Sequence, residues 1–137
     1  MMRRLLYVST ARAGLMDADV QRIVATAQRV NAERSVTGLL VFNGVAFMQA
    51  LEGEEATIHD LFADIAGDQR HHGVVMVLNE KIRDRGFPDW SMMFATAARA
   101  NNDRRKLGQP NGAPAAALPP DLPEHIFQLF TSFNTLG

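Results

Sequence analysis

The chain has 137 residues, 47% hydrophobic and 21% charged, which suits one globular domain and leaves little room for two. Fourteen basic against fifteen acidic side chains give a formal net charge of -1, so no excess of positive charge argues for nucleic acid or an anionic membrane. There are no cysteines, which excludes disulfides, thiolate nucleophiles and Cys-ligated zinc.

The opening "MMRRLLYVSTARAG" is too short an apolar run for a signal segment or a membrane span, and the expected location is the cytoplasm. Arg3 to Ser9 reads as a first strand, with Leu5, Tyr7 and Ser9 on one face and Leu6 and Val8 on the other. From Asp17 the period becomes helical through Val20, Ile23, Val24, Ala27 and Val30, with Asp17 as the expected N-cap and Asn31 at the far end. Val36 to Phe42 and Val45 to Leu51 are strand-like runs joined by Asn43-Gly44, the dipeptide of a type I′ hairpin turn. Ile58, Leu61, Phe62 and Ile65 mark a second helix ending near Gly67 or Asp68. Val74 to Leu78 is a fourth strand, and Trp90 to Ala95 a short fifth one after Pro88. "NGAPAAALPPDLP" then reads as a linker, and "EHIFQLF" as a short terminal helix that docks on the domain or on a second copy.

This order predicts an α+β fold: a ferredoxin-like βαββαβ sandwich with an added fifth strand and a C-terminal helical extension. In that fold the first and third strands are neighbours. Tyr7 and Gln49, each the polar member of an apolar strand face, would lie side by side. A structural hydrogen bond between two core residues explains them in part. The amide has more donors and acceptors than one hydroxyl can meet, so another polar group is expected in the same pocket. Asn31 is a candidate for it, with a plain helix cap as its alternative. Asp68, Arg70 and His71 read most simply as a solvated helix end. The four histidines show no ligand spacing, so no metal site is expected. Ser9, His71 and Asp68 make a triad on paper without a nucleophile-elbow sequence.

Taken together, "LLYVSTA", "AQRVNAERSVTGLLVF", "FMQALEG", "IAGDQRHHGV" and "FPDWSMMF" closely resemble the BLUF family, the sensors of blue light using flavin adenine dinucleotide. The match covers roughly the first hundred residues. The resemblance implies a bound flavin, FAD by family expectation with FMN or riboflavin as alternatives, held between the two helices. It implies that Tyr7 is the photoactive tyrosine and Gln49 the switching glutamine. Asn31 would bond the polar edge of the ring, and Ile23 and Ile65 would pack on its faces. Asp68, Arg70 and His71 would lie near it, and Trp90 and Met92 would link the pocket to the outside. Ala27 and Val30 stand where some members carry polar residues, and Asp64 where some carry a basic one. The light-driven outcome implied is a rearranged glutamine and a red-shifted signalling state.

The expectation is a short stand-alone photoreceptor and not an enzyme, with residues 1–97 as the flavin-binding domain and 98–137 as linker and helical extension. It would signal to a separate downstream protein or through self-association, without nucleic acid or membrane. Two rivals share the predicted fold. An acylphosphatase-like hydrolase would need an oxyanion cradle, for which "STARAGLMDAD" with Arg12 is a poor match. A ferredoxin-like regulatory module binding a colourless ligand would leave Gln49 unexplained.

Overall fold

The computed structural model describes residues 1–42, 44–69, 71–87, 93–96, 106–107, 116–117, 122–126 and 128–130, with backbone alone at 93–96, 106–107 and 116–117. Arg70, Trp90 and Met92, and Asn43 of the expected turn, lie outside the described residues.

The elements are β1 (Met2–Ala11), α1 (Asp17–Glu33), β2 (Thr37–Phe42), β3 (Ala46–Glu54), α2 (Glu55–Ala66), β4 (His71–Ile82) and β5 (Met93–Thr96). They form one sheet in the order β4-β1-β3-β2-β5. The pairs β1–β3, β1–β4 and β2–β3 are antiparallel, and β5 adds to β2 in parallel. This is the ferredoxin-like arrangement with a fifth strand. Two-residue strands β6 (Lys106–Leu107) and β7 (Ala116–Ala117) pair separately.

Alternation along β1 and β3 sorts their side chains onto two faces. Leu5, Tyr7, Phe47 and Leu51 pack with Val20, Val24, Ile58 and Leu61 of the helices in one core. Leu6, Met48 and Ala50 point the other way, into a second core with Leu39, Val41, Phe87, Leu122, Ile126 and Phe130. The C-terminal residues 124–126 and 128–130 are helical, and Leu122, Ile126 and Phe130 pack on the sheet face opposite α1 and α2.

Some local expectations change. The residue before α1 is Met16, and Asp17 is the first helical residue rather than the cap; the Asp19 carboxylate instead accepts the Met16 N–H at 3.0 Å. Val45 lies before β3 and is 65% exposed, so the inward-facing alternation starts at Phe47. Gly44 has φ +95°, as a tight hairpin turn requires. The fourth strand is longer than its apolar run. As an edge strand it leaves Val75, Met76 and Val77 exposed.

Candidate functional site

The register places Tyr7 of β1 directly opposite Gln49 of β3, and both side chains are 3% exposed. The Tyr7 hydroxyl donates to Gln49 Oε1. Burial, aided by the negative charge of Asp68, raises the phenol pKa well above its ordinary value, so Tyr7 is a neutral donor. With Oε1 turned to Tyr7, the amide presents its donor end in the other direction. Turning the amide over would exchange the two.

Asn31 is brought to the same space by the way α1 stops. The helix ends at Glu33 with Arg34 as its C-cap, and Ser35 follows with φ +57°. The Val36 N–H reaches back to the Asn31 carbonyl at 2.8 Å and the Ser35 N–H to that of Ala32 at 3.4 Å, a Schellman closure with serine in the usual glycine position. Asn31 therefore sits inside the last helical turn and does not cap it. Its main chain is fixed and its side chain, 1% exposed, faces the sheet. Among the described residues its Nδ2 is the one buried side-chain polar atom without a hydrogen-bond partner. A native interior rarely leaves such a donor unmet.

His71 is not a solvated helix end. It opens β4, where its Nδ1 lies 2.8 Å from Ser9 Oγ and its Nε2 lies 2.7 Å from the Ile65 carbonyl. That carbonyl only accepts, so Nε2 carries a proton and donates to it, while Nδ1 shares a hydrogen bond with the Ser9 hydroxyl. The histidine thereby ties β1 to the end of α2. Opposite Ser9 the β1–β4 ladder shifts register around Gly73, whose φ is +61°, and this bulge re-aims the start of β4. The paper triad is thus half assembled. Ser9 and His71 meet, but the remaining ring nitrogen faces a peptide carbonyl rather than Asp68.

Between α1 and α2 a cleft of about 190 Å³ opens onto these groups. Its lining includes Tyr7, Gln49, Asn31 and His71, with Ile23 from α1, Ile65 from α2, and Asp68. Both isoleucines are partly buried against the core. The sequence reading had not singled out Thr26, Leu40, Phe47 or Leu61 for the cleft, although helical spacing and strand alternation place them there. At its mouth Arg34 meets Asp64 at 3.4 Å, an exposed pair that contributes little to stability. An apolar slot flanked by two helices, with an unmet amide donor and a switchable amide at its inner end, fits a flat ring with one polar edge.

A family model for sensors of blue light using FAD, abbreviated BLUF, matches residues 2–93. The chain belongs to the BLUF family. It is 37% identical over 93 residues to photoactivated adenylate cyclase subunit beta of Euglena longa, covering 67% of this chain and 11% of that protein. It is 34% identical over 87 residues to the blue light- and temperature-regulated antirepressor BluF of Escherichia coli strain K12, covering 64% of this chain and 22% of that protein. Its structure resembles the dark state of BlrB, a BLUF protein, with a TM-score of 0.68 and 34% identity over 70% of this chain and 73% of that one. The chain therefore spans only a small part of these two curated relatives. As a BLUF domain it is a blue-light sensor that uses a flavin, FAD in the family definition. The residues of the cleft fit that group on their own geometry. Among the described residues no helix is long and apolar enough to cross a membrane, and no group of three or more His, Asp or Glu stands ready for a metal.

Proposed function

We propose that Tyr7 and Gln49 form the light-operated switch of this BLUF domain, and that a separate protein or a second copy reads it. One observation carries the reading: a buried Tyr7 hydroxyl donates to a buried Gln49 amide in the same cleft as the unpaired donor of Asn31. When bound, the flavin supplies blue-light absorption and a transient pull on an electron of a neighbouring side chain. Asn31 and Gln49 would hold its polar edge, Ile23 and Ile65 its faces, and Asp68, Arg70 and His71 its surroundings. Tyr7 releases its hydroxyl proton along the bond to Gln49 and takes it back. The amide meanwhile settles with its ends exchanged. The barrier is local, since only one side chain must turn, and each mismatched buried polar group biases the outcome by about 1–3 kcal/mol.

The chain's own part is binding, orientation and proton return, with no substrate turned over. Residues 1–97 act as the sensor and 98–137 as the extension, in the cytoplasm. Trp90 and Met92, ahead of β5, pass the change outward. The test is absorption spectroscopy of the purified chain with FAD. It should be yellow, shift slightly red under blue light and relax in the dark. Tyr7→Phe and Gln49→Leu should keep the colour and lose that shift; a normal shift in either variant removes that residue from the switch.

A further inference from the structure

The sheet face opposite the cleft is covered by the chain's own C-terminal segment. Leu122, Ile126 and Phe130 recur at every fourth position, are 7%, 0% and 0% exposed, and seat among Leu6, Met48 and Phe87. Phe130 meets the Phe87 ring edge-on at 6.2 Å. Gly86 shapes the seat. A Cβ there would lie 2.8 Å from Leu122 Cδ1 and 2.9 Å from Arg4 Nη2, so an added side chain would push those side-chain ends aside.

The floor of this seat is charged as well as apolar. Arg4 Nε donates to Glu52 Oε2 at 2.7 Å, and its Nη1 donates to Glu80 Oε1 at 2.8 Å. Glu52 is 0% exposed and also accepts the main-chain N–H groups of Gly86 at 3.0 Å and Phe87 at 2.9 Å. His125 Nε2 reaches Glu80 Oε1 at 2.9 Å from the segment itself. A core made only for stability gains nothing from a buried ion pair, since apolar residues of similar size do as well or better. A charged floor differs when it is uncovered, because Arg4, Glu52 and Glu80 then regain hydration. Lifting the segment therefore costs less than lifting it from a hydrocarbon surface.

We infer that this face is an exchangeable helix-docking groove in which residues 122–130 are the resident ligand. The partner that fits is an amphipathic helix with apolar side chains at i, i+4 and i+8 and an imidazole or cationic side chain at i+3, the pattern of Leu122, Ile126, Phe130 and His125. Coupling to light rests on the switch proposed above. β3 carries Gln49 on the cleft face and, three residues on, Glu52 on the groove face, where its carboxylate holds residues 86 and 87 under the segment.

The probe is a fluorescent peptide of residues 119–133, titrated by anisotropy into the full chain and into its Ile126→Asp variant, both loaded with FAD. The peptide should bind the variant at least about tenfold more tightly than the parent, and adding Gly86→Val to the variant should weaken binding. Equal binding to both chains, or to neither, overturns the groove. In the unmodified chain, saturating peptide should speed amide exchange in residues 122–130; unchanged protection there overturns it independently of how the variant folds. Blue light should alter peptide affinity in the variant severalfold. An unaltered affinity beside an intact spectral shift overturns the coupling alone, while absence of the spectral shift overturns the photosensor reading.

Discussion

Asn31 offers a prediction with two opposite signs. Its Nδ2 is buried and unpartnered, and leaving such a donor unmet costs about 1–3 kcal/mol. Asn31→Leu removes the donor at similar volume, so the flavin-free chain should become more stable by about that amount. Leucine is also the better helix former by about 0.5 kcal/mol, so only a gain beyond that reports on the amide. For a domain of this size the whole effect corresponds to a melting point higher by roughly 5–12 °C. With FAD the sign reverses. The missing hydrogen bond weakens binding by about 1–3 kcal/mol, a rise in Kd of roughly 5- to 150-fold. Thermal melts of the flavin-free chain and FAD titrations by fluorescence quenching measure the two effects separately. A variant that melts lower without flavin and binds FAD as before would refute the reasoning, because Asn31 would then serve packing alone.

Tyr7 is the sole tyrosine, so ultraviolet titration reports it without interference. Its pKa is raised, first by burial and then by Asp68, so the native state holds the proton more tightly than the unfolded chain does. That contribution to stability is complete below the ordinary value of 10.0 and is lost as pH rises above it toward the folded pKa. Phenolate absorbance should thus appear only with loss of native circular dichroism; a native chain ionising at the ordinary value contradicts the buried phenol. Glu52→Ala takes one of two carboxylate partners from the Arg4 guanidinium, 4% exposed, and removes the acceptor of the Gly86 and Phe87 N–H groups, so it should cost about 3–5 kcal/mol in denaturant unfolding. The double change Arg4→Met, Glu52→Leu should recover only the ion-pair part of it, since the Gly86 and Phe87 N–H groups still lack the carboxylate. A loss below about 1 kcal/mol in the single variant would argue against a dry ion pair. Partial burial opposes ionisation of Glu80, but hydrogen bonds and charge from His125 and Arg4 outweigh it and hold its pKa below 4.5. Its contribution is therefore present above that value and lost as the pH falls through the lowered pKa. Amide protection of residues 122–130 should fall in that acid range before the rest of the sheet opens. If His125→Ala leaves this acid step unchanged, the clasp is not its origin.

Much of this was legible because it is periodic. Alternation in two strands, helical spacing between them and one Asn-Gly turn lead to the sheet order, and the sheet order sets Tyr7 against Gln49. What escaped depends on register and on chain endings. Arg4 and Glu52 face each other only because Leu5 faces Leu51, a pairing that neither segment states alone. The Ser9–His71 contact depends on a bulge at Gly73, one residue of irregularity that no period announces. Asn31 looked like a cap because the Schellman closure uses Ser35 where a glycine would have marked the end. The back-face cluster joins β1, β3 and β4 to residues more than forty positions further along, beyond the reach of local pattern.

One consequence concerns how such chains are free to diverge. Gln49 and Glu52 are separated by an odd number of positions, so the pleat sends one carboxamide and one carboxylate to opposite sides. Inserting or deleting a single residue between them would put both on one side, so either the amide would leave the pigment slot or the carboxylate would enter the aliphatic layer beside it. Natural drift in this stretch is therefore confined to replacement, and changes in length must accumulate in the bends at its two ends.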